Sequence, residues 1–320
     1  MDRRTFLKTM AGISAAGIAS TSINYNSRYG RWLNPDRIDT AQPFDVYMTF
    51  DDGPFSNKDF KTGPTDIVLQ LLKDKGITAT FFLHGMHIND WDGPTLARYI
   101  TDGHSVGNHL WRQGGNTIAD NTPWALMAEQ YLRAEIRIRD IMQQADATAY
   151  QTYMAQPKLF RRPGGNNNVN DFLKPQNWLD LRSEPYLRPY WDKIDWLNGV
   201  YDYSGWHING GESIPAEIRP TTANDELQFI LHGGHAYYGI YNYIQPRSVQ
   251  ADQGLVILMH DADKTTDDML PDLISTLQGL GARFKSLPRP VDKPNATTVG
   301  ISYAPIPELT ATPASTTGAP

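Results

Sequence analysis

Residues 44–54 read Phe44-Asp45-Val46-Tyr47-Met48-Thr49-Phe50-Asp51-Asp52-Gly53-Pro54. The run from Phe44 to Phe50 has the aromatic and apolar make-up of a buried strand, and it closes on two adjacent carboxylates and a Gly-Pro turn. A helical pattern follows, with Ile67, Val68, Leu71 and Leu72 on one face and Gly76 as its stop. A second apolar run, Ile77 to Leu83, a short helix over Leu96 to Ile100, and a third strand from His104 to His109 continue the alternation. Trp124 to Gln144 reads as a long helix, Leu159 to Arg161 as a fourth strand, and Leu255 to Met259 as a last one before a helix from Asp268 to Leu280. Strands alternating with helices predict an α/β fold around a parallel sheet, closed or nearly closed as a barrel.

Composition narrows the function. A 320-residue chain with 8 Trp, 16 Tyr and 11 Phe can bury a large core, and a net charge of −6 repels nucleic acid rather than attracting it. With no cysteine, thiolate zinc sites, iron–sulfur clusters, disulfides and thiol nucleophiles are all excluded, so any metal must sit on histidine, carboxylate or amide ligands.

The polar clusters fall in one topological place. Asp51 and Asp52 end the first strand, Asn108 and His109 the third, Arg161 the fourth, and His260 with Asp261 the last. In parallel α/β folds the carboxyl ends of the strands are where active sites are built. An Asp-Asp-Gly-Pro string also suits a turn whose Asp caps the next segment. Four such clusters at one end of the sheet favour a site.

These motifs resemble the polysaccharide deacetylase family, also known as carbohydrate esterase family four or the NodB homology domain. The resemblance rests on Thr49-Phe50-Asp51-Asp52-Gly53-Pro54, on Gly103-His104 leading to Asn108-His109, on Phe160-Arg161-Arg162-Pro163-Gly164-Gly165, and on Ile257-Leu258-Met259-His260-Asp261. It implies an irregular (β/α) barrel and a divalent metal, usually zinc, used to remove N- or O-acetyl groups from an acetylated polysaccharide. It also implies roles: Asp51 as general base, Arg161 as the arginine that holds it, His260 as general acid, Asp52 and His109 as metal ligands. Leu258 would line the pocket for the acetyl methyl, a backbone N–H at Gly164 would serve the oxyanion, and Trp206 would meet the glycan.

Three departures from the pattern are visible. Gln113 stands where the family's second metal-binding histidine lies, and a neutral amide oxygen is a poorer zinc ligand than imidazole. Gly164 replaces a common tyrosine, and His207 and Asn209 stand where acids are usual. His84, at the carboxyl end of the second strand beside the strand that ends in Asp52, is the first substitute to consider for Gln113; a core or surface histidine is the other reading of it. His87, His207, His232 and His235 remain further histidines, with His232 to His235 read as a substrate-facing loop and His104 as structural.

The termini carry different information. Asp2-Arg3-Arg4-Thr5-Phe6-Leu7-Lys8 followed by the apolar run Met10 to Ala19 resembles a bacterial twin-arginine signal peptide. That predicts a signal and leader over residues 1–25, recognition by the twin-arginine export machinery, and a periplasmic or secreted protein with no stable membrane span. Residues 26–290 form the expected domain, with an irregular insertion near 176–250, and 291–320 a flexible tail rich in Pro, Thr and Ala. Three functions stay open: a metal-dependent deacetylase, a glycan-binding protein on the same scaffold that has lost turnover, and a hydrolase of small amides.

Overall fold

The structure, a computed structural model, describes residues 43–111, 124–156, 158–163, 200–202, 208–210, 219–234, 237–243, 254–262 and 264–287. The strands are β1 (Phe44–Asp51), β2 (Thr80–Leu83), β3 (Ser105–Asn108), β4 (Lys158–Phe160), β5 (Val200–Asp202), β6 (Ile208–Asn209), β7 (Gly233–Gly234), β8 (Tyr237–Tyr238), β9 (Leu255–His260) and β10 (Ala282–Phe284). The helices are α1 (Pro64–Lys75), α2 (Gly93–Thr101), α3 (Trp124–Ala145), α4 (Ala147–Ala155), α5 (Ala223–His232), α6 (Ile240–Tyr243) and α7 (Lys264–Gly279). The large sheet runs β5-β4-β3-β2-β1-β9-β6, and its described pairings are parallel. β10 shares one edge of β1 with β2, pairing with Phe44 to Val46 while β2 takes Thr49 to Asp51. This mostly parallel sheet with its helices is the α/β barrel-like architecture expected from the alternation.

β1 is buried along nearly its whole length, as are β2 and β9, because a parallel sheet is covered on both faces. Val46, Met48, Phe50, Phe81, Leu83, Ile257 and Met259 join Val68, Leu72, Leu270 and Leu273 of the helices in one core. β3 passes close to β2: a Cβ on Gly107 would lie 2.4 Å from a Phe82 ring carbon, so only glycine fits there.

α1 opens on Pro64, whose missing N–H is no loss in a first turn, and closes on Gly76 at φ 64°, with its N–H on the last carbonyls. Its buried face departs from the expected one. Ile67 is 46% exposed, whereas Thr65, Asp66, Val68, Leu69 and Leu72 are buried. The reason is that two polar residues of the first turn hold the loop that follows β1. Thr65 Oγ1 accepts the Phe55 N–H at 2.7 Å, and Asp66 Oδ2 accepts the Asn57 N–H at 3.2 Å.

His104 is structural in this fold. It is buried, its Nδ1 accepts the Ala79 N–H at 3.1 Å, its ring edge meets Phe81, and burial pushes its pKa down to about 4. The folded chain takes up this proton near pH 4 and the unfolded chain near 6.5, so this contribution is fully present above pH 6.5 and lost as pH falls to 4. It amounts to about 3 kcal/mol. Buried Asp261, pushed up to about 7, acts with the opposite sign, gaining stability as pH falls through the same range. The comparison that isolates His104 is denaturant unfolding of wild type and His104→Gln between pH 7 and 4.5. The variant should lose less stability on acidification, and identical pH slopes would show that His104 is not held neutral.

Candidate active site

The site begins where β1 stops. Asp51 is its last residue, and Asp52 turns the chain at φ 72°, a left-handed conformation that Asp tolerates better than most residues with a Cβ. In a continuing strand the two side chains would point to opposite faces. The turn instead brings both carboxylates to one imidazole: His109 Nε2 lies 3.3 Å from Asp52 Oδ1 and 3.7 Å from Asp51 Oδ2. His87 supports this turn, donating from Nδ1 to the Asp52 carbonyl at 2.6 Å.

Asp51 is buried against a cation. Arg161, fully buried just past β4, donates from Nη1 to Asp51 Oδ1 at 2.8 Å and to Thr49 Oγ1 at 2.6 Å, and Thr49 donates in turn to the Ile257 carbonyl at 2.7 Å. The guanidinium carbon stands 4.3 Å from the Phe82 ring centroid. Charge, hydrogen bond and ring stacking thus fix the guanidinium that orients Asp51.

His109 is held equally firmly. Its Nδ1 lies 2.8 Å from the Arg161 carbonyl, which can only accept, so the proton of the neutral ring sits on Nδ1 and Nε2 is left as a lone pair. Asn108 shapes the turn that carries it, accepting the Leu110 N–H at 2.8 Å and donating to the Tyr131 carbonyl of α3 at 2.9 Å.

His84, just past β2, points its Nε2 at the same Asp52 oxygen, 3.3 Å away. Among the described residues, Asp52, His84 and His109 form the one group of His, Asp and Glu whose ligand atoms lie within 4.8 Å of one another. Asp52 Oδ1 and both His84 nitrogens are buried without a hydrogen-bond partner among the described residues. Burial works against the charge of Asp52, but the His109 and His84 rings beside it outweigh that and hold the carboxyl well below the usual carboxylate range. Burial likewise pushes His84 down, against the pull of Asp52, and so favours a neutral ring. One carboxylate and two imidazoles converging on one point are a donor set that suits zinc or a similar divalent cation.

His260 closes the site from the other side. It ends β9 directly opposite Asp51 in the β1–β9 register, on the adjacent parallel strand. Leu258, two positions earlier, is buried between Thr49 and Asn209 in register. Asp261 lies beneath the turn; a Cβ on Gly53 would come within 3.1 Å of both its carboxylate oxygens, and it accepts from Thr65 Oγ1.

The structure therefore brings together Asp51, Asp52, His109, Arg161 and His260, and adds His84. Gln113, Gly164, Trp206, His207 and His235 lie outside the described residues. His232 ends α5 with its ring 4.8 Å from that of Tyr241, and burial pushes its pKa down to about 4. Thr49 and His87 are supporting residues that the strand-end pattern did not single out, although Thr49 sits inside the opening motif and His87 three residues after His84.

Residues 39–178 match the family model described as Polysaccharide deacetylase, a segment that includes Asp51, Asp52, His84, His109 and Arg161 and supports a deacetylase domain there. The peptidoglycan-N-acetylmuramic acid deacetylase PdaA of Bacillus subtilis is 24% identical over 243 residues, covering 76% of this chain and 69% of its own length. A chitin deacetylase of Colletotrichum lindemuthianum is 32% identical over 108 residues, 32% of this chain and 40% of its own. A Streptococcus mutans CE4 esterase superposes with a TM-score of 0.53 at 22% identity, over 81% of this chain and 92% of its own, and so shares the fold.

Proposed function

We propose that the chain is an exported, metal-dependent polysaccharide deacetylase that hydrolyses N- or O-acetyl groups of a glycan. The observation that carries this reading is Asp51, gripped by buried Arg161, standing between the Asp52–His109 pair and the strand-end His260. A divalent cation on Asp52 and the histidines would polarise the acetyl carbonyl and lower the pKa of water. Asp51 takes the proton from the attacking water, with Arg161 fixing its other oxygen. His260, on the neighbouring strand, gives a proton to the departing amine or alkoxide. Water is the nucleophile, so no side chain need be acylated. Leu258 against the acetyl methyl, a Gly164 N–H for the oxyanion and Trp206 against the sugar carry over from the family resemblance.

A glycan-binding protein on this scaffold has no need for a buried, arginine-held carboxylate opposite a histidine. Peptidoglycan and chitin are the substrates that the relatives' names point to. Among the described residues no helix is long and apolar enough to cross a membrane. Export rests on Arg3 and Arg4 ahead of Phe6 and Leu7. Changing both arginines to lysine should leave the precursor in the cytoplasm; an unchanged exported yield would remove the twin-arginine route. The activity itself is tested by metal analysis of the purified chain together with acetate release from a panel of N- and O-acetylated glycans.

A further inference from the structure

We propose that the third protein ligand of the metal comes from β2: His84 fills the role that Gln113, past β3, has lost. This rests on the reading that the chain uses a divalent metal, and it concerns where the ligands come from.

Register places the three candidates level with one another. Asp51 pairs with Phe82, and Leu83 with Asn108, so Asp52, His84 and His109 emerge from the ends of three neighbouring strands at nearly the same height. Main-chain hydrogen bonds lock these ends together. The His84 N–H donates to the Gly53 carbonyl at 2.9 Å, the His109 N–H to the Leu83 carbonyl at 2.9 Å, and the Gly85 N–H to the Leu110 carbonyl at 2.9 Å. With His87 Nδ1 on the Asp52 carbonyl, the carboxylate and both imidazoles are held in place before any ion arrives.

The three facing atoms share one point that a single partner could serve. His84 is fully buried and neither ring nitrogen has a hydrogen-bond partner among the described residues. His109 spends its Nδ1 proton on the Arg161 carbonyl, so its neutral ring offers only a lone pair at Nε2. Both Nε2 atoms face the same otherwise unbonded Asp52 oxygen at 3.3 Å. A proton can serve one of these contacts at a time, whereas one cation among the three atoms satisfies all of them. A structural core histidine would instead hydrogen-bond a neighbour, as His104 does with the Ala79 N–H. Three protein ligands also leave coordination positions open, the pattern of catalytic rather than structural zinc. The side chain at position 113 is then free to be something other than a ligand.

The test is zinc titration, by competition with a chromophoric chelator, into metal-stripped full-length wild type, His84→Ala and Gln113→Ala. Zinc affinity should fall about 100-fold or more in His84→Ala and stay within about threefold of wild type in Gln113→Ala. Circular dichroism of the metal-free proteins checks that the variants fold. Should His84→Ala not fold, the more conservative His84→Gln is titrated in its place, and X-ray absorption of zinc-loaded wild type and Gln113→Ala counts the imidazoles, with two expected in both. Wild-type zinc affinity in the folded His84 variant, a tenfold loss in Gln113→Ala, or a single imidazole in the wild-type spectrum would overturn the proposal. Zinc binding with this mutant pattern but no acetate release from any glycan would remove the deacetylase reading and leave the ligand assignment standing. Acetate release with the opposite pattern would do the reverse.

Discussion

Asp51→Asn should lower the rate of acetate release, per folded molecule, by about two to four orders of magnitude, the range expected when a general base is lost. The amide keeps an oxygen for Arg161 Nη1, now 2.8 Å from the carboxylate, so the local hydrogen bond survives while the ability to take a proton does not. Asp52, His84 and His109 are untouched, and zinc affinity should change far less than the rate. His260→Ala should also slow the reaction, and most for substrates with a poor leaving group, since it removes the proposed proton donor. Unaltered turnover in folded Asp51→Asn would take Asp51 out of the role of base.

The second large effect is on stability. Arg161→Met removes the cation from a fully buried position while Asp51 remains 3% exposed opposite it. Stranding a buried charge in this way costs about 3–5 kcal/mol. Thr49 also loses its donor, although its own bond to the Ile257 carbonyl remains. Adding Asp51→Asn to Arg161→Met should recover a substantial part of the loss, because the stranded carboxylate is then gone. Denaturant unfolding of both single variants and the double variant completes a cycle. Strict additivity would mean that Asp51 and Arg161 do not act as a pair.

The framework of the site was legible in the sequence because strand ends are marked chemically. The apolar run from Phe44 breaks at Asp51, that of β9 at His260, and β4 at Arg161, so the polar residues announce the edge of the core. The elements missed were those whose signals are short or local. β10 is three residues long and tied to the sheet by charge, with Arg283 and Lys285 on Asp45 at 2.6 and 2.7 Å, so it shows no apolar run. α5 lay within the stretch read as irregular, although Thr222 caps the Asp225 N–H and Leu227, Ile230 and Leu231 recur at helical spacing. Ile67 was misplaced because periodicity weighs apolarity and takes no account of Thr65 and Asp66 being drawn inward to hold the loop after β1.

The convergence of His84 with Asp52 and His109 was legible only in part: strand adjacency made His84 the first substitute to consider for Gln113, with a core or surface histidine as the other reading. Spacing from His109 to position 113 points to a ligand on the same segment, whereas His84 reaches the site across the sheet, through parallel register. The left-handed turn at Asp52 that aims its carboxylate at both rings leaves no trace in residue types beyond the Asp-Gly-Pro string.

If this constellation hydrolyses acetyl groups on a glycan, the purified chain itself must release acetate. The direct measurement is acetate released from N-acetylated and O-acetylated glycans by the purified full-length chain, metal-loaded and after chelation. Release by the loaded chain, matched by newly freed amine or hydroxyl, abolished by chelation and restored by zinc, is the expected result. Glycan binding by the zinc-loaded chain with no acetate released from any member of the panel would contradict it.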